Sequence, residues 1–292
     1  MNRQRIQIIR RLKREIFSTK IFIMLVISPL ICHSQTEKEI PMTYQSAMLG
    51  TGKTTVYDSY LSPLKYRGNN LGLMYEQMKM TDLGNNRISV QHLLNIEASD
   101  TKNPTGTAKY YTGSLEYAFG LHYRLKPMPR LQIFAGWQAD GFTGMIYNTR
   151  NGNNPVTAKV NLNLNLSGMA AYRLQIKRQP LLLRYQLNVP FAGALFSPEF
   201  GQSYYEISQG FHKSLIHFAS FHNQWAARNH FSVELPFRFC TLRLAYMNWI
   251  YETRVNDLNT QIVSNSFYIG FSRDFFVISG KQGKNNYRYV FE

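Results

Sequence analysis

Val160-Asn161-Leu162-Asn163-Leu164-Asn165-Leu166-Ser167 sets an aliphatic residue at every second position and a small polar one between. Side chains alternate across a strand, so one face is all Leu and Val and the other all Asn and Ser. A soluble sandwich strand with one solvated face reads the same way. Here the pattern recurs along most of the chain, behind an export signal and between polar connections of alternating length. That combination predicts an all-β fold: a transmembrane antiparallel up-and-down β-barrel with lipid outside and polar packing inside. The expected compartment is the outer membrane of a Gram-negative bacterium.

Arg3, Arg5, Arg10, Arg11, Lys13, Arg14 and Lys20 precede a short apolar run, Ile21 to Ile31, and then Cys32-His33-Ser34. This reads as a signal peptide over 1–34, too short to span a bilayer. Ile31 stands where a lipoprotein signal wants a small residue, which argues against lipidation of Cys32. Cleavage after Ser34 leaves Cys240 as the remaining thiol, so the fold is expected to need no disulfide. The formal charge of the whole chain is +16. Residues 1–34 hold seven Lys/Arg and one Glu, which leaves 26 basic against 16 acidic residues, a net +10. A basic exported chain suits anionic outer-membrane lipid such as lipopolysaccharide. A merely solvated basic surface is the plainer explanation. Nucleic acid is not an expected partner outside the cytoplasm.

Residues 35–53 read as a periplasmic lead-in or plug, and 54–277 as the barrel. Strands are predicted at 54–61, 71–79, 87–98, 110–124, 131–147, 158–175, 181–190, 231–237, 242–251 and 263–276. Short connections at 81–86, 125–130, 177–180 and 238–241 alternate with longer ones at 62–70, 99–109, 148–157, 191–229 and 252–261. Short periplasmic turns and longer outer loops give this alternation, with both termini in the periplasm. The count is ten strands, or twelve if 203–222 hides a hairpin. Either barrel is narrow enough to be filled by its own side chains. The tail 278–292 carries Tyr287, Tyr289 and Phe291 at spacing two, a terminal strand piece or an assembly signal.

Ala47-Met48-Leu49-Gly50-Thr51-Gly52-Lys53-Thr54 matches a loose phosphate-loop pattern. Such a loop needs a buried strand before it and a helix after it. Neither flank fits, so no nucleotide or other cofactor is expected. The long excursion 191–229 is too aromatic to be disordered and is expected to be the working part of the chain. It contains Pro198, Gly201, Ser203, Tyr204, Tyr205, Glu206, His222 and Asn223, expected to form a loop or interaction site with an envelope partner.

Ser197-Pro198, Gly201-Gln202-Ser203-Tyr204-Tyr205-Glu206 and Phe221-His222-Asn223 also carry a resemblance. So do Tyr60-Leu61-Ser62-Pro63-Leu64 with Tyr66 and Gly68, and Leu242-Arg243-Leu244-Ala245-Tyr246 with Val255-Asn256. Over roughly 57–272 the chain resembles a family of Bacteroidota outer-membrane proteins catalogued only as a domain of unknown function. Ala245 departs from the Gly that family-like copies would have. The resemblance implies compartment and barrel, and no activity.

Three chemistries are open to these residues. Ser203, Glu206 and His222, with Ser220 and Asn223 nearby, are the residue types of a hydrolytic triad, as in an outer-membrane phospholipase or lipid A deacylase. Against this, His222 and Asn223 can simply fasten the loop by hydrogen bonds. His212, His217, His222 and His230 suggest a metal, but no spacing matches a known ligand set, so none is expected. Inward-facing Glu97, Glu116, Asp140, Arg184 and Arg243 would select a solute in a narrow channel, or pair with one another to fill the lumen. The reading adopted is a non-enzymatic barrel with a structural or interaction role through 191–229.

Overall fold

Thr43 opens the first of ten strands that close on themselves. The computed structural model describes residues 40–152, 154–177, 179–210, 215–237, 239–275 and 287–291. The proposed signal peptide, residues 35–39, His212 and most of the tail lie outside the described residues. The elements are β1 (Ile40–Pro41), β2 (Thr43–Asp58), β3 (Ser62–Met80), β4 (Ile88–Lys102), β5 (Lys109–Met128) and β6 (Leu131–Asn148). They continue with β7 (Val156–Ile176), β8 (Gln179–Phe196), the short helix α1 (Tyr204–Ser208), β9 (Ile216–Ala219) and β10 (Gln224–Pro236). The chain ends with β11 (Thr241–Val255), β12 (Leu258–Phe275) and β13 (Tyr287–Arg288). β2 to β8 and β10 to β12 form one antiparallel sheet, and the β8–β10 pairing closes it.

The opening stretch shows which side is which. On β7, Asn161, Asn163, Asn165 and Ser167 are buried, while Leu162 is 64% and Leu166 57% exposed. This inverts a soluble sandwich: polar groups point in and aliphatics point out, as hydrocarbon on the outside requires. The same inversion runs around the wall, with Leu73, Ile96, Leu115, Trp137 and Phe267 exposed.

Closure is staggered. Starting from Leu49, register partners run through Leu73, Ile96, Leu115, Thr143 and Val160 to Phe196 on β8. The other way round they run through Ile269, Leu244 and Val233 to Leu183 on the same strand. The offset between Phe196 and Leu183 is the shear that tilts the strands and fixes the barrel's width.

Several boundaries differ from the sequence reading. Residues 43–53 are the first part of β2, not a lead-in or plug. Their inward face mixes Tyr44, Ser46, Met48 and Gly50, which hides the hydropathy contrast. The phosphate-loop stretch 47–54 lies wholly within this strand. The expected loops at 62–70 and 252–261 are strand as well. There the wall rises beyond the apolar belt and polar residues occupy both faces. The connections shrink to Ser59–Leu61 and to Asn256-Asp257, where both residues have positive φ (54 and 59). That backbone suits a tight hairpin and needs residues such as Asn and Asp. Residues 191–229 are likewise not one loop. Phe191 bulges between Pro190 and Ala192, which reverses the in–out parity, and β8 then continues to Phe196. β9 and β10 both pair with β8, so they form one strand line interrupted at 220–223. The count is ten barrel strands, with a helix rather than a hairpin in the excursion.

Candidate functional site

The lumen is filled in layers. At the end holding the short turns, β13 pairs in parallel with β1. The tail then turns inward, burying Val290 and Phe291 against Tyr44, Met78 and Phe134. Arg124 donates to the Val290 carbonyl at 3.3 Å, and Arg173 donates to that of Phe291. Among the described residues this end of the lumen is thus filled by the C-terminal tail.

Above the tail lies an ion cluster. Glu76 on β3 takes Arg184 at 2.7 Å and Arg243 at 2.5 Å. Glu234 takes the same two guanidinium groups at 3.3 and 3.6 Å and accepts from the Tyr44 hydroxyl at 2.6 Å. Gln91 donates to Glu76 at 2.6 Å. Two carboxylates against two guanidinium groups leave no net charge, which makes their burial tolerable. Arg184 also lies 4.3 Å from the ring centroid of Phe291, so the tail is a lid on this cluster.

The next layer pairs Arg228 with Glu116. Asp140 accepts from Asn163 at 3.1 Å and also from Asn165. Glu97 accepts from Ser264 at 2.8 Å and Asn70 at 3.2 Å. Between these groups, about 40 Å³ is open to water centres, room for a few waters. Toward the loop end, Tyr66 stacks on Tyr110 at 3.5 Å, and Phe142 lies against Tyr251. Lys159 reaches across the lumen to Asp58 at 2.7 Å.

The five lumen residues expected from sequence, Glu97, Glu116, Asp140, Arg184 and Arg243, all lie inside the barrel. They fall in two layers rather than one site. Sequence reasoning missed Tyr44, Glu76, Glu234 and Arg228, their direct partners. Inward parity carries the signal for each: Glu76 alternates with buried Met74 and Met78, and Glu234 with buried Ser232.

The excursion after β8 closes the loop end. Pro198 is buried, and Gly201 makes the turn at φ +81. Ser203 caps α1: its hydroxyl accepts from the Glu206 amide at 3.2 Å, and Glu206 accepts from the Ser203 amide at 2.7 Å. This capping box satisfies two amides that the first helical turn leaves open. Those bonds hold the Glu206 carboxyl below its usual range. The Tyr204 hydroxyl accepts from the Ala158 amide at 2.6 Å. Tyr60, from the β2–β3 turn on the far side of the barrel, donates to the Gln202 carbonyl at 2.8 Å. Burial, with Tyr204, Asp58 and Glu206 adding to it, pushes the Tyr60 phenol up to about 12, so it stays a donor. Asn256 donates to the carbonyls of Ser197 and Pro198 at 3.3 and 3.2 Å. The segment is a strap across the mouth. Phe200 and Tyr205 are left outside it, 71% and 72% exposed.

Of the three triad types, Ser203 and Glu206 meet each other, and His222 is engaged elsewhere. The hydroxyl of Ser203 is engaged with Glu206, and the His222 ring stacks on Phe218. Asn223 fastens the 220–223 interruption, accepting from the Ser220 amide at 3.0 Å and donating to the Phe218 carbonyl at 2.9 Å. His217 contacts Asn256, and His230 is buried in the lumen. Among the described residues no three His, Cys, Asp or Glu side chains are grouped to hold a metal.

No curated protein matches the chain. Among solved structures it is similar to the outer membrane protease OmpT from Escherichia coli, at 9% identity and a TM-score of 0.46, over 82% of this chain and 99% of that one. It is also similar to the translocator domain of autotransporter NalP from Neisseria meningitidis, at 10% identity and a TM-score of 0.39, over 91% and 98%. The transport unit of the autotransporter AIDA-I from Escherichia coli matches at 9% identity and a TM-score of 0.36, over 86% and 96%. A family profile matches residues 19–282, and the chain belongs to that family, described as a protein of unknown function, DUF3316.

Proposed function

We propose that this chain is a sealed outer-membrane barrel with a structural or interaction role, whose 197–210 strap faces an envelope partner outside the cell. One observation carries the reading. The strap's inner side is bolted to the barrel through Tyr204, Gln202 and Pro198, while Phe200 and Tyr205 stand out uncovered among the described residues. A solvated strap has no use for two exposed large aromatics.

The reading places the end where β5 turns into β6 and β7 into β8 in the periplasm and the strap at the cell surface. On the same rim, Arg67, Lys102 and Lys109 are direct cross-strand neighbours on β3, β4 and β5. Like charges opposite one another repel. Lys109 is paired with Asp100 at 3.0 Å, and the rest of this basic rim suits the anionic headgroups of outer-leaflet lipid such as lipopolysaccharide.

Cross-linking in intact cells tests the role. Replacing Phe200 and Tyr205 by Ser should leave a folded, heat-modifiable barrel and remove a neighbour captured by the native chain. An unchanged set of neighbours in that variant overturns the reading.

A further inference from the structure

The outward wall is not apolar all the way round. Asn229, Asn248 and Asn265 are direct register partners on β10, β11 and β12, and all three point outward. Each is bracketed on its own strand by outward apolar residues. Asn229 lies between Ala227 and Phe231, Asn248 between Tyr246 and Ile250, and Asn265 between Val263 and Phe267. The row therefore begins inside the apolar belt at Asn229 and Asn248 and leaves it beyond Asn265, where its next outward partners are Lys53 and Asn69 on β2 and β3. On the opposite wall the corresponding belt is Ile96 on β4, Leu115 and Tyr117 on β5 and Trp137 on β6.

The three amides are chained. Tyr185 donates to Asn229 at 2.7 Å, Asn229 to Asn248 at 3.2 Å, and Asn248 to Asn265 at 2.9 Å. Tyr246 donates to Asn265 at 2.7 Å. An amide carries two N–H groups. The chain thus leaves both N–H groups of Asn265 free, and one each on Asn229 and Asn248. Unpaired N–H groups facing hydrocarbon are strongly unfavourable. The lone pairs that remain sit on Asn229, Asn248 and the two tyrosine oxygens. Donors and acceptors are thus balanced within one surface, so an identical surface facing it satisfies both. A symmetric pairing requires that self-complementarity.

We propose that the β10–β12 wall is a contact between two copies of this chain within the membrane, joined through the Asn229–Asn248–Asn265 row. This rests on the membrane reading above. The test uses the full mature chain in lipid vesicles, with Cys240 replaced by Ser and one cysteine introduced beside the row by Ile250→Cys. Oxidation should give a band of twice the chain mass. Leu115→Cys, on β5 in the opposite wall, should give none. Adding Asn248→Leu and Asn265→Leu should weaken association about tenfold while the barrel keeps its heat-modifiable migration. Flotation with the vesicles but no self-linked band from Ile250→Cys would overturn the interface alone. So would a band unaffected by the two Leu substitutions. Failure to float would overturn the membrane reading, and the interface with it.

Discussion

Arg243 on β11 reaches Glu76 on β3 at 2.5 Å across the interior of the barrel, and both side chains are essentially inaccessible. Glu76 also holds Arg184, so a single carboxylate anchors two guanidinium groups. Glu76→Gln leaves the pair of arginines with one carboxylate, Glu234. Breaking a buried pair from one side costs about 3–5 kcal/mol. Thermal unfolding of the detergent-folded barrel should fall accordingly, and a loss under 1 kcal/mol would argue that water already reaches the cluster.

Tyr268 on β12 lies over Gly50 on the adjacent β2 and Gly72 on β3, one strand further round. A Cβ on Gly50 would come within 2.4 Å of its ring, and one on Gly72 within 2.2 Å of its hydroxyl. Gly50→Val should displace the ring and cost about 1–3 kcal/mol. Adding Tyr268→Ala to that variant should recover part of the loss, because the clash goes with the ring.

The tail plug should behave as packed core. Phe291→Ala removes a buried ring that touches Tyr44, Phe134 and Arg184. It should destabilise the barrel by about 3–5 kcal/mol. The ion cluster above the tail should nonetheless keep the lumen shut, which a dye-leakage assay in vesicles can check.

The strap should loosen in acid. Folding lowers the pKa of Glu206 through its bonds to Ser203. Its contribution is therefore complete above the unfolded carboxylate value and is lost as pH falls through the folded one. The protection factors of the 204–208 amides should fall below the usual carboxylate pKa. Glu206→Ala should show that lower protection already at neutral pH.

How far the sequence carried the account depends on parity. Wherever inward residues were polar and outward ones aliphatic, as in Asn161 to Ser167, strand, face and lumen were all legible. The first part of β2, 43–53, escaped because Tyr44 and Met48 face the lumen and Lys53 faces out. The strand line after Pro190 escaped because one bulge at Phe191 inverts the alternation. The excursion's polar residues were singled out by type alone. Coordinates supplied what type cannot: Ser203 and Glu206 serve each other as a helix cap, and Asn223 closes a kink. The partners Glu76 and Glu234 were legible as inward positions, but pairing across a lumen needs the closed ring.

The central claim is that this barrel is shut from end to end by its own side chains. Single-channel recording of the full mature protein in planar bilayers tests it most directly. The account predicts a membrane that stays silent with the inserted, heat-modifiable barrel present. Stable openings of nanosiemens scale from the native chain would contradict it.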